Sequence, residues 1–270
     1  MRSRVLLLAC LGLVGSAAPA LALQPTAHQA VYAMSLDHAR SSSGVVGANG
    51  TLLYKWADVC DGWTVEQRYK LTMRYDQGAP VDIESDFVTW ESKDGKSYRF
   101  NEKETRNGDV DTDIRGDATL DGPGHSGIAR FEKPKPRSFL LPKGTLLPTA
   151  HTFELIRQAE AGQRFFTAHV FDGSTFDGAS TISAVLVPQG ISKADDLAAV
   201  GALKSPLLQR PGWTTWLSFF SDAGQDTEAD YLLGMRLMDN GVSRSMSLDY
   251  GDYVIAATLQ HLEALPKPVC

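Results

Sequence analysis

Cys60 and Cys270 are the two residues whose chemistry has to be settled first. The third cysteine, Cys10, lies in an N-terminal stretch that has the form of a cleavable leader. In an oxidising compartment the remaining two permit one intramolecular pairing, the default; an intermolecular bridge and two free thiols are the alternatives. Once bridged, neither is a nucleophile. No other residues stand at the spacing of a familiar reaction. Gly124-His125-Ser126-Gly127 has the wrong spacing for a nucleophile elbow and follows a Pro-Gly turn. H-E-x-x-H, C-x-x-C, a phosphate-binding glycine loop and S-x-x-K are all missing. Asp109, Asp111 and Asp113 invite a calcium loop, but Ile114 stands where glycine is required and Leu120 where the bidentate glutamate belongs. The expected reading of the three is an acidic solvent face of a strand.

The histidines are scattered. His125 falls in a turn, His151 in the first turn of a predicted helix, and His169 and His261 on strands. No two have metal-ligand spacing, so neither a metal nor a cofactor is expected. The carboxylates lie mostly opposite apolar rows, and no glycosidase-like pair can be singled out. The residues point to no catalytic site; a hydrolase with an unrecognised site is the least favoured reading.

Compartment is more legible than chemistry. Arg2 and Arg4 precede the apolar run 5–18, and Ala20 and Ala22 place small residues at −3 and −1. This is the form of a secretory signal peptide cut after Ala22, leaving 23–270 as one domain. The run is too short to span a bilayer, which needs about 20 residues. A lipid-attachment reading at Cys10 leaves too short a hydrophobic region. A soluble, exported protein is expected, with no membrane span. Removal of Arg2 and Arg4, with no acid leaving, takes the formal net charge from −6 to −8. Such a chain is not steered towards nucleic acid.

Period-2 alternation dominates the rest. In 63–75, Trp63, Val65, Tyr69, Leu71, Met73 and Tyr75 point one way, with only Gln67 polar among them. Charged residues and threonines point the other way, so the strand has one buried face and one wet face. Asp94-Gly95, Asn107-Gly108, Asp121-Gly122 and Asn240-Gly241 punctuate the alternation as hairpin turns. Pro134 and Pro136 make the segment they interrupt an edge or a crossover. Residues 149–161 read as the main helix, with Thr149 as N-cap and Gly162 closing its end. Residues 193–200 read as a second, short helix. The fold class is all-β: about 14 mostly antiparallel strands in a sheet that must curl or close to hide its edges.

Trp63, Tyr69, Trp213 and Trp216 fall on strands of this curling sheet. Most such aromatics build core; the sharper idea is that these four line an apolar groove for a lipid-like ligand or a partner's peptide.

Several stretches together resemble one known family. They are Tyr231-Leu232-Leu233-Gly234-Met235-Arg236-Leu237, Asn240-Gly241, Leu248-Asp249-Tyr250-Gly251, the terminal Cys270, Leu141-Pro142-Lys143-Gly144-Thr145-Leu146-Leu147-Pro148-Thr149-Ala150-His151, and the region around Cys60. They are similar to the EipB family of alphaproteobacterial periplasmic proteins. The resemblance implies an open, barrel-like β-spiral closed by a disulfide, a part that Cys60 and Cys270 would fill. It further implies a role in cell-envelope integrity, with a periplasmic tetratricopeptide-repeat protein as partner. It brings no catalytic residues. The expected protein is thus a non-enzymatic periplasmic monomer, with a carrier of apolar ligands as the alternative.

Overall fold

The computed structural model describes residues 25–189, 205–221 and 228–270. The leader with its Ala22 cleavage site and the short helix expected over 193–200 lie outside the described residues. Among the described residues, fifteen strands form a single sheet in the order β8-β7-β6-β5-β4-β3-β2-β1-β15-β14-β13-β12-β11-β10-β9. In chain order they are β1 His28–Ala39, β2 Val45–Asp58, β3 Gly62–Tyr75, β4 Val81–Ser92, β5 Ser97–Arg106, β6 Asp109–Leu120, β7 Gly127–Lys133 and β8 Arg137–Leu141. There follow β9 Thr145–Leu146, helix α1 Pro148–Glu160, β10 Phe165–Val170, β11 Ser180–Gln189, β12 Gly212–Ser221, β13 Tyr231–Met238, β14 Ser243–Asp249 and β15 Tyr253–Ala264. The one strand beyond the expected fourteen is β9. Two residues long and parallel to β10, it is too short to leave a pattern in the sequence.

Chain order and sheet order agree on both sides of the β1–β15 junction, where the first and last strands pair from His28↔Ala264 to Ala39↔Tyr253. Neighbouring strands are otherwise antiparallel, as alternation and turn residues require. The two edges, β8 and β9, do not pair, so the curled sheet is a barrel left unclosed by hydrogen bonds. Pro134 and Pro136 precede β8 and hold it to five residues, the short, proline-guarded form that discourages edge pairing.

Only one expected turn is a two-residue hairpin. Asn107 and Gly108 both have positive φ, 53° and 87°, as the tight turn between β5 and β6 demands. The Asp94-Gly95, Asp121-Gly122 and Asn240-Gly241 turns are longer, because local side chains stabilise wider loops. Asp94 Oδ1 accepts from Lys96 N–H and from the Ser92 hydroxyl; Asn240 Oδ1 accepts from Val242 N–H.

Register fixes the inner face. Ala30, Tyr32, Ala48, Trp56, Val65, Met73, Tyr98, Phe100, Ala118, Phe131 and Ile255 face inwards, all below 10% exposed. Three apolar clusters result. One lies under β1, β2, β3 and β15, a second under β5 to β8 with Phe171, and the third between α1 and β10 to β13.

Candidate functional site

One end of the barrel is sealed by α1 and pinned by a disulfide. Leu155 and Ile156, 2% and 0% exposed, press down onto Ile182, Ala184, Leu186, Trp213 and Leu237. The N-terminus of α1 meets β4. Its C-terminal Glu160 feels the charges of Asp239 and Arg210, which flank β13 and β12. Thirteen residues at 1.5 Å each carry the helix about 20 Å across this end.

Thr149 is not the N-cap. The cap position is Leu147, with Pro148 at the first helical position and no side-chain bond from the cap itself. Pro148 has no N–H to satisfy. The next two donors, Thr149 and Ala150 N–H, both go to Glu91 of β4, at 2.7 and 2.9 Å. A buried carboxylate from a distant strand thus does what an N-cap side chain does locally. Burial lifts the Glu91 carboxyl to about 7, against the pull of these hydrogen bonds. At the other end Gly162 (φ 79°) takes the expected left-handed position. Gln163 N–H bonds to Gln158 O and Gly162 N–H to Ala159 O, a Schellman closure.

Cys60 and Cys270 are joined, with Cα atoms 5.8 Å apart. Cys60 sits at positive φ in the β2–β3 turn, where its N–H bonds to Asp58 Oδ1 at 3.0 Å. Lys93 ties the turn to β4–β5. Its ammonium lies 2.9 Å from Asp58 and 3.3 Å from the centroid of Trp63. Trp63 in turn leans on Trp56 and on Phe153 of α1, with centroids 5.3 and 5.7 Å away. Helix, disulfide turn and aromatic cluster therefore form one lock. A recess of about 470 Å³ opens beside it, lined by Trp63, Lys93, Phe153 and Arg157.

The four aromatics expected to share a groove do not meet. Trp213 is buried beneath α1, whereas Trp216, three positions on, is on the outer face and 43% exposed. Alternation in β12 makes that separation inevitable. Trp63 belongs to the lock, and Tyr69 donates its hydroxyl to Glu104 at 2.5 Å. A different concavity, of about 790 Å³, runs over β3 to β7 and is lined by Trp90, Arg99, Asn101, Arg115 and Asp117. Arg99 there covers the ring of Trp90 at 5.0 Å.

Asp111 and Asp113 are paired across strands with Arg106 and Lys133. His151 is buried, and burial lowers its imidazole to about 4, so it stays neutral against Phe166 at a centroid separation of 5.9 Å. His169 lies 3.2 Å from the Thr181 hydroxyl, and His261 3.7 Å from Glu263. The residue that sequence reasoning missed is Glu91. Its one signal is a carboxylate in line with the inward-facing Thr89 and Phe87.

These features define a class: a helix-plugged, disulfide-pinned, barrel-like β-protein, with no helix among the described residues long and apolar enough to cross a membrane. The chain belongs to the EipB-like family, whose model matches residues 18–266. It is 31% identical over 258 residues to the cell envelope integrity protein EipB of Brucella abortus, covering 93% of this chain and 89% of that one. A crystal structure of a β-barrel-like protein from Brucella abortus, described as a domain of unknown function, superposes with a TM-score of 0.82. It is 30% identical, and the match covers 91% of this chain and all of that one.

Proposed function

We propose that this chain maintains cell-envelope integrity as an exported, periplasmic, non-enzymatic protein that acts by binding another protein, of the tetratricopeptide-repeat class. The observation that carries the reading is the near full-length relationship to a cell envelope integrity protein. The outer groove over β3 to β7 supports protein binding, because a tryptophan and two arginines in a concave surface are the composition of interface anchors. A photo-crosslinking residue at Asn101, used in periplasmic extracts and in cells, tests it. The expected product is a discrete adduct containing a helical-repeat protein; a uniform absence of adducts, with the residue correctly incorporated, counts against it.

A carrier of apolar ligands is the second reading. It is favoured by the inward-facing Leu52, Tyr54, Leu71, Leu233, Met246 and Leu248, which keep accessible surface although they face the interior. Native mass spectrometry of gently purified protein should then retain an adduct that denaturation releases. Bare mass in every preparation would remove this reading.

A further inference from the structure

The two ends of the sheet are not equally protected. β8 is guarded by Pro134 and Pro136, whereas β10 reads Phe165-Phe166-Thr167-Ala168-His169-Val170, with no proline and no charged side chain before His169. β9 covers only His169 and Val170, the last two residues of β10. Backbone groups point alternately to one side and the other along a strand, which fixes where the uncovered ones go. Leu186 N–H bonds to Arg164 O, so Arg164, Phe166 and Ala168 face β11. Phe171 N–H bonds to Leu146 O, so the odd-numbered residues face away from β11. The N–H and C=O of Phe165 and Thr167 therefore point out of the sheet, with no partner among the described residues.

The surroundings offer contacts for side chains as well as for backbone. A recess of about 370 Å³ lies along this edge, lined by Phe166, Thr167, Ala168, Leu146 and Glu154. The Glu154 carboxylate is already held by Arg157 at 2.9 Å and by Gln158 at 2.6 Å. Phe165 is 75% exposed, and the register continues it across the outer face through Val185 to Trp216, 37% and 43% exposed. Unpaired backbone beside a recess and an uncovered apolar row is what strand addition requires: main-chain bonds hold the incoming segment and the flanking surfaces take its alternate side chains. Cations bracket the open stretch. Arg164 directly precedes β10, and Lys143 directly precedes Gly144, which also lines the recess. Both are exposed, and neither is in an ion pair among the described residues.

We propose that this edge binds an extended segment of another protein, which adds as a strand beside residues 165–168 and carries carboxylates at its ends. β9 shows that the edge accepts a strand, and the incoming segment continues its line. A second copy of this chain is a poor complement, because its own edge would set Lys143 and Arg164 against the same two cations. The inference goes beyond the helical-repeat reading and does not depend on it.

The test follows amide hydrogen exchange in the purified, oxidised protein by nuclear magnetic resonance, with three acetylated and amidated hexapeptides. They are Glu-Val-Thr-Val-Thr-Glu, the same sequence with lysine at both ends, and the glutamate peptide methylated on every backbone nitrogen. Saturating glutamate peptide should slow exchange at Phe165 and Thr167 by about tenfold or more, with the amides of β8 unchanged. The lysine peptide should bind about fivefold more weakly, and the methylated peptide not at all. Thr167→Pro removes one edge-facing donor but none of the β10–β11 ladder, so it should abolish binding at the parent melting temperature. The peptide controls read the same site should that variant fail to fold. No slowing with any peptide, equal binding of the two end charges, or slow exchange at Thr167 before peptide is added overturns the proposal. Each of these leaves the helical-repeat reading standing, since crosslinking at Asn101 tests that separately.

Discussion

Breaking the Cys60–Cys270 bond should cost most of the protein's margin of stability without changing its fold. The bond closes a loop with a sequence separation of 210 residues. Cross-linking so distant a pair removes about 5 kcal/mol of chain entropy from the unfolded state, taken as a ceiling. The native side loses little. β15 is already held along β1, and Leu265 N–H bonds to Ala27 O at 2.8 Å, so the bond fastens only a short tail beyond. The loss therefore acts through the unfolded chain. At about 2–4 °C per kcal/mol for a domain of this size, the melting temperature should fall by about 10–20 °C. Scanning calorimetry on the oxidised protein, the reduced protein and the Cys60→Ser/Cys270→Ser variant measures it, with near-ultraviolet dichroism at 25 °C as the check on fold. A fall of less than about 3 °C would refute the entropic argument. A collapsed near-ultraviolet spectrum would refute the claim that the sheet stands without the bond.

Other perturbations probe the lock. Gly241 has a φ of 85°, and a Cβ there would lie 2.3 Å from the Trp56 ring; Gly241→Ala should destabilise by about 2–4 kcal/mol in urea unfolding. Ile156→Ala leaves a hole under the plug and should cost about 2–5 kcal/mol by the same assay. For Glu91, the folded carboxyl near 7 is above its ordinary 4.5. Its contribution is therefore fully present below about 4.5 and lost as pH rises through 7, which amounts to about 3 kcal/mol between pH 5 and 8. Glu102 acts in the same direction. Glu91→Gln should accordingly flatten the pH dependence of unfolding, and an unchanged slope would show that Glu91 does not titrate in this range.

Much of the sheet was legible because alternation is a local signal. The Trp63–Tyr75 row lies on the inner face as its pattern requires, and Pro134 and Pro136 do mark an edge strand. What failed was whatever depended on partners far along the chain. Thr149 has the side chain of an N-cap, but Glu91, 58 residues away, captures the helix donors first. The expected groove joined Trp213 to Trp216 because both are aromatic, although their odd spacing in a strand puts them on opposite faces.

The most direct measurement of the envelope role is survival of a strain lacking this chain on plates containing deoxycholate. Deletion should lower plating efficiency sharply, and the wild-type chain should restore it while a form without an export signal does not. A deletion strain that plates as well as its parent across the detergent series would contradict it.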